Sequence, residues 1–153
     1  SLCLRGSNLF YRDKIRMPNL IQKYANEPVW AVVGASNNPR KFGNRIYRTL
    51  RTAGYTVYAV NSRENEVEGD SAYSSLLDLP QPPTVVDMVV PPYLALEIVQ
   101  QAKEAGAKAI WFQPGAEDAE AIRWARANGM DVVEDCILVQ HVQSPKGEEG
   151  RKE

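Results

Sequence analysis

Val29-Trp30-Ala31-Val32-Val33 runs into Gly34-Ala35-Ser36 and then into Asn37-Asn38-Pro39-Arg40-Lys41-Phe42-Gly43, and the fold is decided here. The five apolar residues read as a short strand buried on both faces. A strand that ends on small residues and feeds a helix leaves backbone amides where a phosphate can sit, and Arg40 and Lys41 add charge of the matching sign. This is a nucleotide-type loop. It is not the dinucleotide fingerprint: Gly-x-Gly-x-x-Gly needs glycine at positions 36 and 39, which hold Ser36 and Pro39.

Working outward, apolar runs recur at 29–33, 55–60, 85–90, 109–112 and 131–134, each of strand length. Helical periods separate them. In 42–53 the apolar face carries Ile46, Leu50 and Ala53, while Arg45, Arg48 and Arg51 form a wet face. In 93–105 the inward set is Leu94, Ile98, Ala102 and Ala105, and in 117–128 it is Ala121, Ile122 and Ala125. Gly54, Gly106 and Gly129 stop the three helices. Repeated strand-helix units demand parallel strands joined by right-handed crossovers. The expected fold is therefore α/β: a Rossmann-like three-layer sandwich with a mostly parallel sheet in a single domain. Pro18, Leu20, Ile21 and Tyr24 predict a short preceding helix that Pro28 ends. Residues 61–83 read as a loop with a short edge strand near 66–68 and one helical turn near 74–78.

In open parallel sheets ligands sit beyond the carboxyl ends of the strands where the chain order reverses. Three segments should converge there: Gly34 to Lys41, Asn61 to Arg63, and Val90-Pro91-Pro92. An NAD site wants an acid at the end of the second strand, but this chain has Asn61-Ser62-Arg63. An amide followed by a guanidinium suits a phosphorylated ribose instead, because a carboxylate there would repel it. Coenzyme A, with its 3′-phosphate, and NADP both meet that condition.

Several of these residues have a plainer reading. Arg40 and Lys41 also suit a solvated loop, and Pro91-Pro92 equally suits the first turn of a helix. Asp87, a charge inside an apolar strand, is expected to bond nearby backbone or hydroxyl groups. Gln113-Pro114-Gly115 either presents amides to the site mouth or only connects strand to helix. Cys136 and His141 superficially form a nucleophile-base pair, yet at that spacing they read as a structural thiol and a surface histidine.

Gly34-Ala35-Ser36 with Pro39, Lys41 and Gly43, the Tyr55-x-Val57-Tyr58-x-Val60-Asn61 strand end, Gly69, Tyr73, Val90-Pro91, Trp111-x-Gln113-x-Gly115 and Cys136 together resemble the small CoA-binding-domain proteins. These are similar to the amino-terminal CoA-binding domain of the succinyl-CoA synthetase alpha subunit. The resemblance covers about residues 20 to 142. It implies that Gly34, Ala35, Ser36 and Lys41, with Pro39 and Arg40 beside them, hold phosphates. It further implies that Val60, Asn61 and nearby residues line the adenosine, and that Val90, Pro91 and Pro92 shape the pantetheine exit; Arg63 joins the candidate binding residues as the cation for the ribose phosphate. The family usually has proline after the Val-Asn pair, where this chain has Ser62.

A chain of 153 residues, 44% of them hydrophobic, suits one domain with a real core. Eighteen basic against nineteen acidic side chains give a net charge of -1, which favours neither nucleic acid nor anionic membrane, so anion binding must be local. No apolar run has the length to span a bilayer, and a cytoplasmic location is expected. Cys3 and Cys136, the only thiols, do not form a disulfide framework, and two cysteines with one histidine do not make a metal site. Residues 1–17 read as an N-terminal arm, an expression artefact or an organelle-targeting segment, 18–142 as the CoA-binding domain, and 143–153 as a disordered charged tail.

The reading is a non-catalytic module that binds CoA or an acyl-CoA as a carrier, sensor or accessory unit. It is not an enzyme by itself, because the synthetases it resembles transfer phosphate through a histidine on a following domain. The alternatives are an NADP-binding regulator or reductase, and an acyl-CoA ligase subunit active only with a partner chain. A small-molecule CoA ligand and a protein partner are the expected contacts; sequence leaves the oligomeric state open.

Overall fold

The computed structural model describes residues 17–140. The expectations for residues 1–16, Cys3, His141 and the charged tail fall outside that range. Helix α1 covers residues 17–25. Then follow β1 Val29–Val33, α2 Phe42–Thr52, β2 Thr56–Val60, β3 Glu66–Val67, β4 Asp70–Tyr73, β5 Val85–Met88, α3 Ala95–Glu104, β6 Ala109–Phe112, α4 Ala119–Ala127, β7 Asp131–Glu134 and α5 Ile137–Gln140. The strands form one sheet in the order β3-β4-β2-β1-β5-β6-β7. Every neighbouring pair is parallel except β3 with β4.

Side-chain alternation along the strands builds the two outer layers. Trp30, Val32, Val85, Ala109, Trp111 and Val133 face one core, which Tyr24 of α1, Ile46, Tyr47 and Leu50 of α2 and Ile137 of α5 close. Ala31, Val33, Val86, Met88, Ile110 and Phe112 face the other, under Ala95, Val99 and Ala102 of α3 and Ala121, Ile122 and Ala125 of α4. Both faces of β1, β5 and β6 are thus covered, which is why these strands read as apolar runs, interrupted only by Asp87 in β5. At the centre of the first core Trp30 and Trp111 lie 5.4 Å apart between ring centres, and Tyr55 meets Trp30 edge-on at 6.0 Å.

The structure corrects the sequence reading in four places. Part of the segment read as loop is a strand: β4 runs parallel to β2, pairing Ala59 with Ala72 and Val60 with Tyr73. Its sequence, Asp-Ser-Ala-Tyr, lacks an apolar run because it lies near the sheet edge and is only half-buried. Strand β5 stops at Met88 rather than reaching position 90, and Val89 and Val90 turn out to the sheet's end. The helix expected over 93–105 begins as a 3-10 turn, Pro92–Leu94, and buries Ala95, Val99 and Ala102, while Leu94 and Ile98 are half-buried.

The fourth correction concerns Asp87. Its Oδ1 accepts from Gln113 Nε2 at 2.6 Å, a side-chain amide rather than a backbone or hydroxyl group, and Oδ2 has no hydrogen-bond partner among the described residues. Gln113 in turn accepts from the Ile137 amide at 3.2 Å, so this buried pair ties β5, β6 and α5 together. Burial raises the Asp87 carboxyl from 3.8 to about 7, and the Gln113 bond only partly opposes that rise. A folded-state pKa above the unfolded one means stability fully present below 3.8 and lost as pH rises to about 7. Asp87→Asn keeps an acceptor for Gln113 and removes the titration. Thermal midpoints taken across that window should therefore climb in the variant relative to wild type as pH rises, then run parallel above it; parallel curves throughout would show that Asp87 does not titrate on folding.

Candidate functional site

The chain order reverses at β1, which has β2 on one side and β5 on the other. At the carboxyl ends of these strands lies a cleft of about 660 Å³. That volume falls within the range of small-molecule and cofactor sites. Of the residues singled out in the sequence, Gly34, Ser36 and Lys41 line it, as do Val60, Asn61 and Arg63 from the end of β2 and Val90 and Pro91 from the end of β5. Ala35 is buried beneath the loop. Pro39, Arg40 and Pro92 are exposed and do not contribute to the lining.

Glycine is required twice in building this corner. Gly34 has φ +104, a region side chains rarely adopt, and a Cβ there would stand 2.3 Å from the Val89 carbonyl oxygen. A Cβ on Gly43 would stand 2.0 Å from the Gly34 carbonyl oxygen. The end of β1 is therefore wedged between the end of β5 and the first turn of α2, backbone against backbone. Hydrogen bonds from Gly34 N to Val60 O, 3.0 Å, and from Val89 N to Val33 O, 2.9 Å, complete the seam.

Beyond Gly34, two asparagine amides fix consecutive peptide planes. Asn61 Nδ2 donates to Ala35 O at 2.7 Å, and Asn44 Nδ2 donates to Ser36 O at 2.7 Å. In a trans peptide the N–H points opposite to the carbonyl, so the amides of Ser36 and Asn37 face away from these anchors. Neither amide has a protein acceptor among the described residues. Asn61 also accepts from the amides of Arg63 and Glu64, at 2.7 and 3.0 Å, and so shapes the turn that carries Arg63. Ser36 Oγ accepts from Asn38 N at 3.0 Å, closing the next turn.

Helix α2 begins beside this loop without a side-chain cap and without an acid in its first turn. Uncapped amides at the end of an 11-residue helix leave partial positive charge directed at the cleft. Lys41, at the cap position, and Arg63 on the opposite bank are both exposed, and no ion pair engages either among the described residues. One end of the cleft is thus rich in unsatisfied donors. The far wall differs: Leu76, Leu94 and Ile98 form an apolar slot, with Ser74, Glu97 and Gln101 at its edge. Sequence reading assigned Leu94 and Ile98 to the core. The signal for their real position is that the stripe Leu94, Ile98, Gln101 ends in a polar residue, as a helix face overhanging a cleft does. Among the described residues three large apolar side chains stand exposed, Phe42, Leu77 and Tyr93, the last at 83%, and each belongs to a segment bordering the cleft.

Other candidates lie elsewhere. Gln113 is buried on Asp87 and does not reach the cleft. Cys136 is a half-buried free thiol beyond β7, and its amide donates to the Asp135 carboxylate at 2.7 Å. Among the described residues no group of three or more His, Cys, Asp or Glu side chains could hold a metal. No helix there is long and apolar enough to cross a membrane.

A parallel sheet with a glycine-wedged loop at its switch point is shared by several nucleotide-binding families, and comparison with known proteins separates them. Residues 28–142 match the CoA binding domain family. The chain belongs to that family. This CoA binding domain is 37% identical over 126 residues to the alpha subunit of ADP-forming acetate–CoA ligase II of Pyrococcus furiosus. The match takes in 74% of this chain but spans only 28% of that subunit. The Bacillus subtilis protein YneT is 30% identical over 112 residues, covering 72% of this chain and 83% of YneT. Among solved structures, a hypothetical protein from Pyrococcus horikoshii OT3 superposes with a TM-score of 0.75 at 37% identity, covering 77% of this chain and 84% of that one. The Rossmann-like fold and the likeness to succinyl-CoA synthetase-type ligase subunits read from the sequence both hold.

The wedge sets a strict test of the geometry. Gly43→Ala places a methyl group against the Gly34 carbonyl, and both sides of the contact are backbone, so the strain cannot be relieved by turning a side chain. The expected cost is about 3 kcal/mol, the upper end of what overpacking typically causes, read from the urea midpoint. A wild-type midpoint would mean that α2 and β1 are not in this close contact.

Proposed function

We propose that this CoA binding domain holds coenzyme A or an acyl-CoA in the cleft at the β1–β5 switch point and performs no chemistry of its own. One observation carries the reading: unsatisfied loop and helix amides, with the free cations Lys41 and Arg63, face one cleft whose β2 end carries Asn61 where an NAD site carries an acid. The amides of Ser36 and Asn37 and the start of α2 would take the pyrophosphate, with Lys41 adding a charge-assisted bond. Arg63 would meet the phosphate on the ribose. The apolar slot of Leu76, Leu94 and Ile98 suits the adenine face, and Val90 and Pro91 border the way out for the pantetheine arm, past the exposed Phe42 and Tyr93. The residues fit the ligand: the loop is packed backbone against backbone at Gly34 and Gly43, and the Ala35 and Ser36 carbonyls are taken by Asn61 and Asn44, which leaves the amides to face an anion.

Among the described residues the cleft lining holds no histidine or cysteine, and the hydroxyl of Ser74, which donates to Asp78 at 3.2 Å, is solvent-exposed together with that carboxylate, which supports a carrier, sensor or accessory role. A second reading draws on the ligase likeness: the domain would supply the CoA site of a ligase whose remaining parts come from a partner chain. The match to YneT, which takes in most of that protein, favours the module reading. Acyl-CoA formation from ATP, acid and CoA on adding a candidate partner, and none without it, would select the ligase reading. NADP fits the acid-free β2 end as well, but Ser36 stands where a dinucleotide loop has its second glycine.

Thermal shifts with CoA, dephospho-CoA, NADP and NAD test the proposal. A ligand at about 100 times its dissociation constant stabilises by about 2.7 kcal/mol, several degrees for a domain of this size. CoA should give the full shift, dephospho-CoA a smaller one, and NAD none. Lys41→Ala should reduce the shift for both CoA forms, whereas Arg63→Ala should erase the difference between them. A larger shift with NADP than with CoA would replace the proposal.

A further inference from the structure

The β3–β4 hairpin is bonded to the loop at several points. Asn37 Nδ2 donates to Glu66 O at 2.7 Å, and Glu68 N donates to Asn37 Oδ1 at 2.8 Å. Asn44, on α2, is fully buried. Its Nδ2 donates to Ser36 O at 2.7 Å and to Glu68 Oε2 at 3.0 Å, while its Oδ1 accepts from Arg48 Nε at 2.8 Å. No flip of the amide satisfies these three partners, since two are acceptors and one is a donor. Glu68 occupies a position where a side chain is disfavoured. Its φ is +52, and it is the non-glycine residue with positive φ among the described residues. With Gly69 at φ +82 it forms the two-residue turn of the hairpin, where asparagine or glycine is the unstrained choice. Strain held at one residue points to a role for its side chain.

That side chain is a carboxylate one amide away from a loop read as a phosphate site. By charge alone it opposes anion binding. By geometry it does the reverse, because it holds the second N–H of Asn44 and so fixes the amide that turns Ser36 O inward and the Asn37 N–H outward.

We infer that Glu68 and Asn44 are positioning residues for the anion-binding loop, the hairpin acting through Asn44 to hold the Ser36–Asn37 peptide in its binding orientation. The inference rests on the reading of the cleft as a CoA site. It does not require Glu68 to touch the ligand, and Glu68 does not line the cleft. Arg51 steadies the turn from the other side, donating to Glu68 O at 2.9 Å and pairing with Asp70 at 2.6 Å. Neither bond uses the Glu68 side chain, so the hairpin keeps them when that side chain is changed.

Glu68→Ala and Glu68→Gln separate the two effects because they predict opposite signs. Both remove the charge, but only the glutamine retains an acceptor for Asn44. Calorimetric titration with CoA should show affinity falling roughly tenfold in Glu68→Ala, the size of one lost hydrogen bond to a charged group, and returning to at least the wild-type value in Glu68→Gln. Amide hydrogen exchange of the ligand-free protein should quicken at Ser36 to Asn38 in the alanine variant alone, with β6 unchanged in both. Equal tightening of CoA in both variants would make Glu68 a nearby charge and overturn the inference, as would unchanged exchange at the loop. Should wild type bind no CoA, the cleft reading fails, while the exchange comparison still decides whether Glu68 and Asn44 hold the loop.

Discussion

Everything at this site depends on a contact between backbones. Gly43 sits against the Gly34 carbonyl and Gly34 against the Val89 carbonyl, each too close for a side chain. A helix brought so near a strand end aims its first amides at the gap between neighbouring strands, which is where the sheet's switch point already leaves room. Packing and binding geometry are therefore one constraint. The large side chains act at a distance from it: Trp30 and Trp111 fill the core below α1 and α2 and hold the layers at the spacing that lets the glycines meet.

Polarity in the cleft follows from how carbonyl oxygens are disposed of. A loop of alternating donors and acceptors would present a mixed surface to an anion. Here Gly34 O lies against α2, Ala35 O is taken by Asn61 and Ser36 O by Asn44, so the donors are left to face outward. Asn61 thus serves the loop as well as the cleft wall: its amide goes to the protein. An aspartate there could not donate to Ala35 O, which gives a second physical reason, besides charge repulsion, for an amide at the end of β2.

Much of the fold was legible because the chemistry was local and periodic. The runs 29–33 and 109–112 coincide with strands, since a strand covered on both faces must be apolar throughout, and 131–134 coincides with the edge strand β7, where Val132 and Val133 are buried between Asp131 and Glu134. Strand β4 escaped because a half-buried position next to the sheet edge imposes no such demand on Asp70-Ser71-Ala72-Tyr73, and its pairing with β2 is set by tertiary contact. At the site, Gly34, Ser36, Lys41, Asn61 and Arg63 were readable from the order of strand, small residues and cations. Leu76, Leu94, Ile98 and Gln101 were not, because a helical stripe looks the same whether its last turn meets a core or overhangs a cleft. Asn44 and Glu68 carried no signal at all: their role comes from a bond between residues 24 positions apart.

The wedge also has a consequence for the order in which the chain is made. Translation delivers β1, α2 and β2 before β5 and α3, and these could pair as soon as they leave the ribosome. They would still lack the Val89 carbonyl that backs Gly34, and the far bank formed by Pro91 and Ile98, until β5 and α3 emerge in their turn. A nascent fragment can thus hold the loop's sequence without its shape. On the proposed reading, ligand capture would come as a late event, after the sheet has grown in both directions from β1.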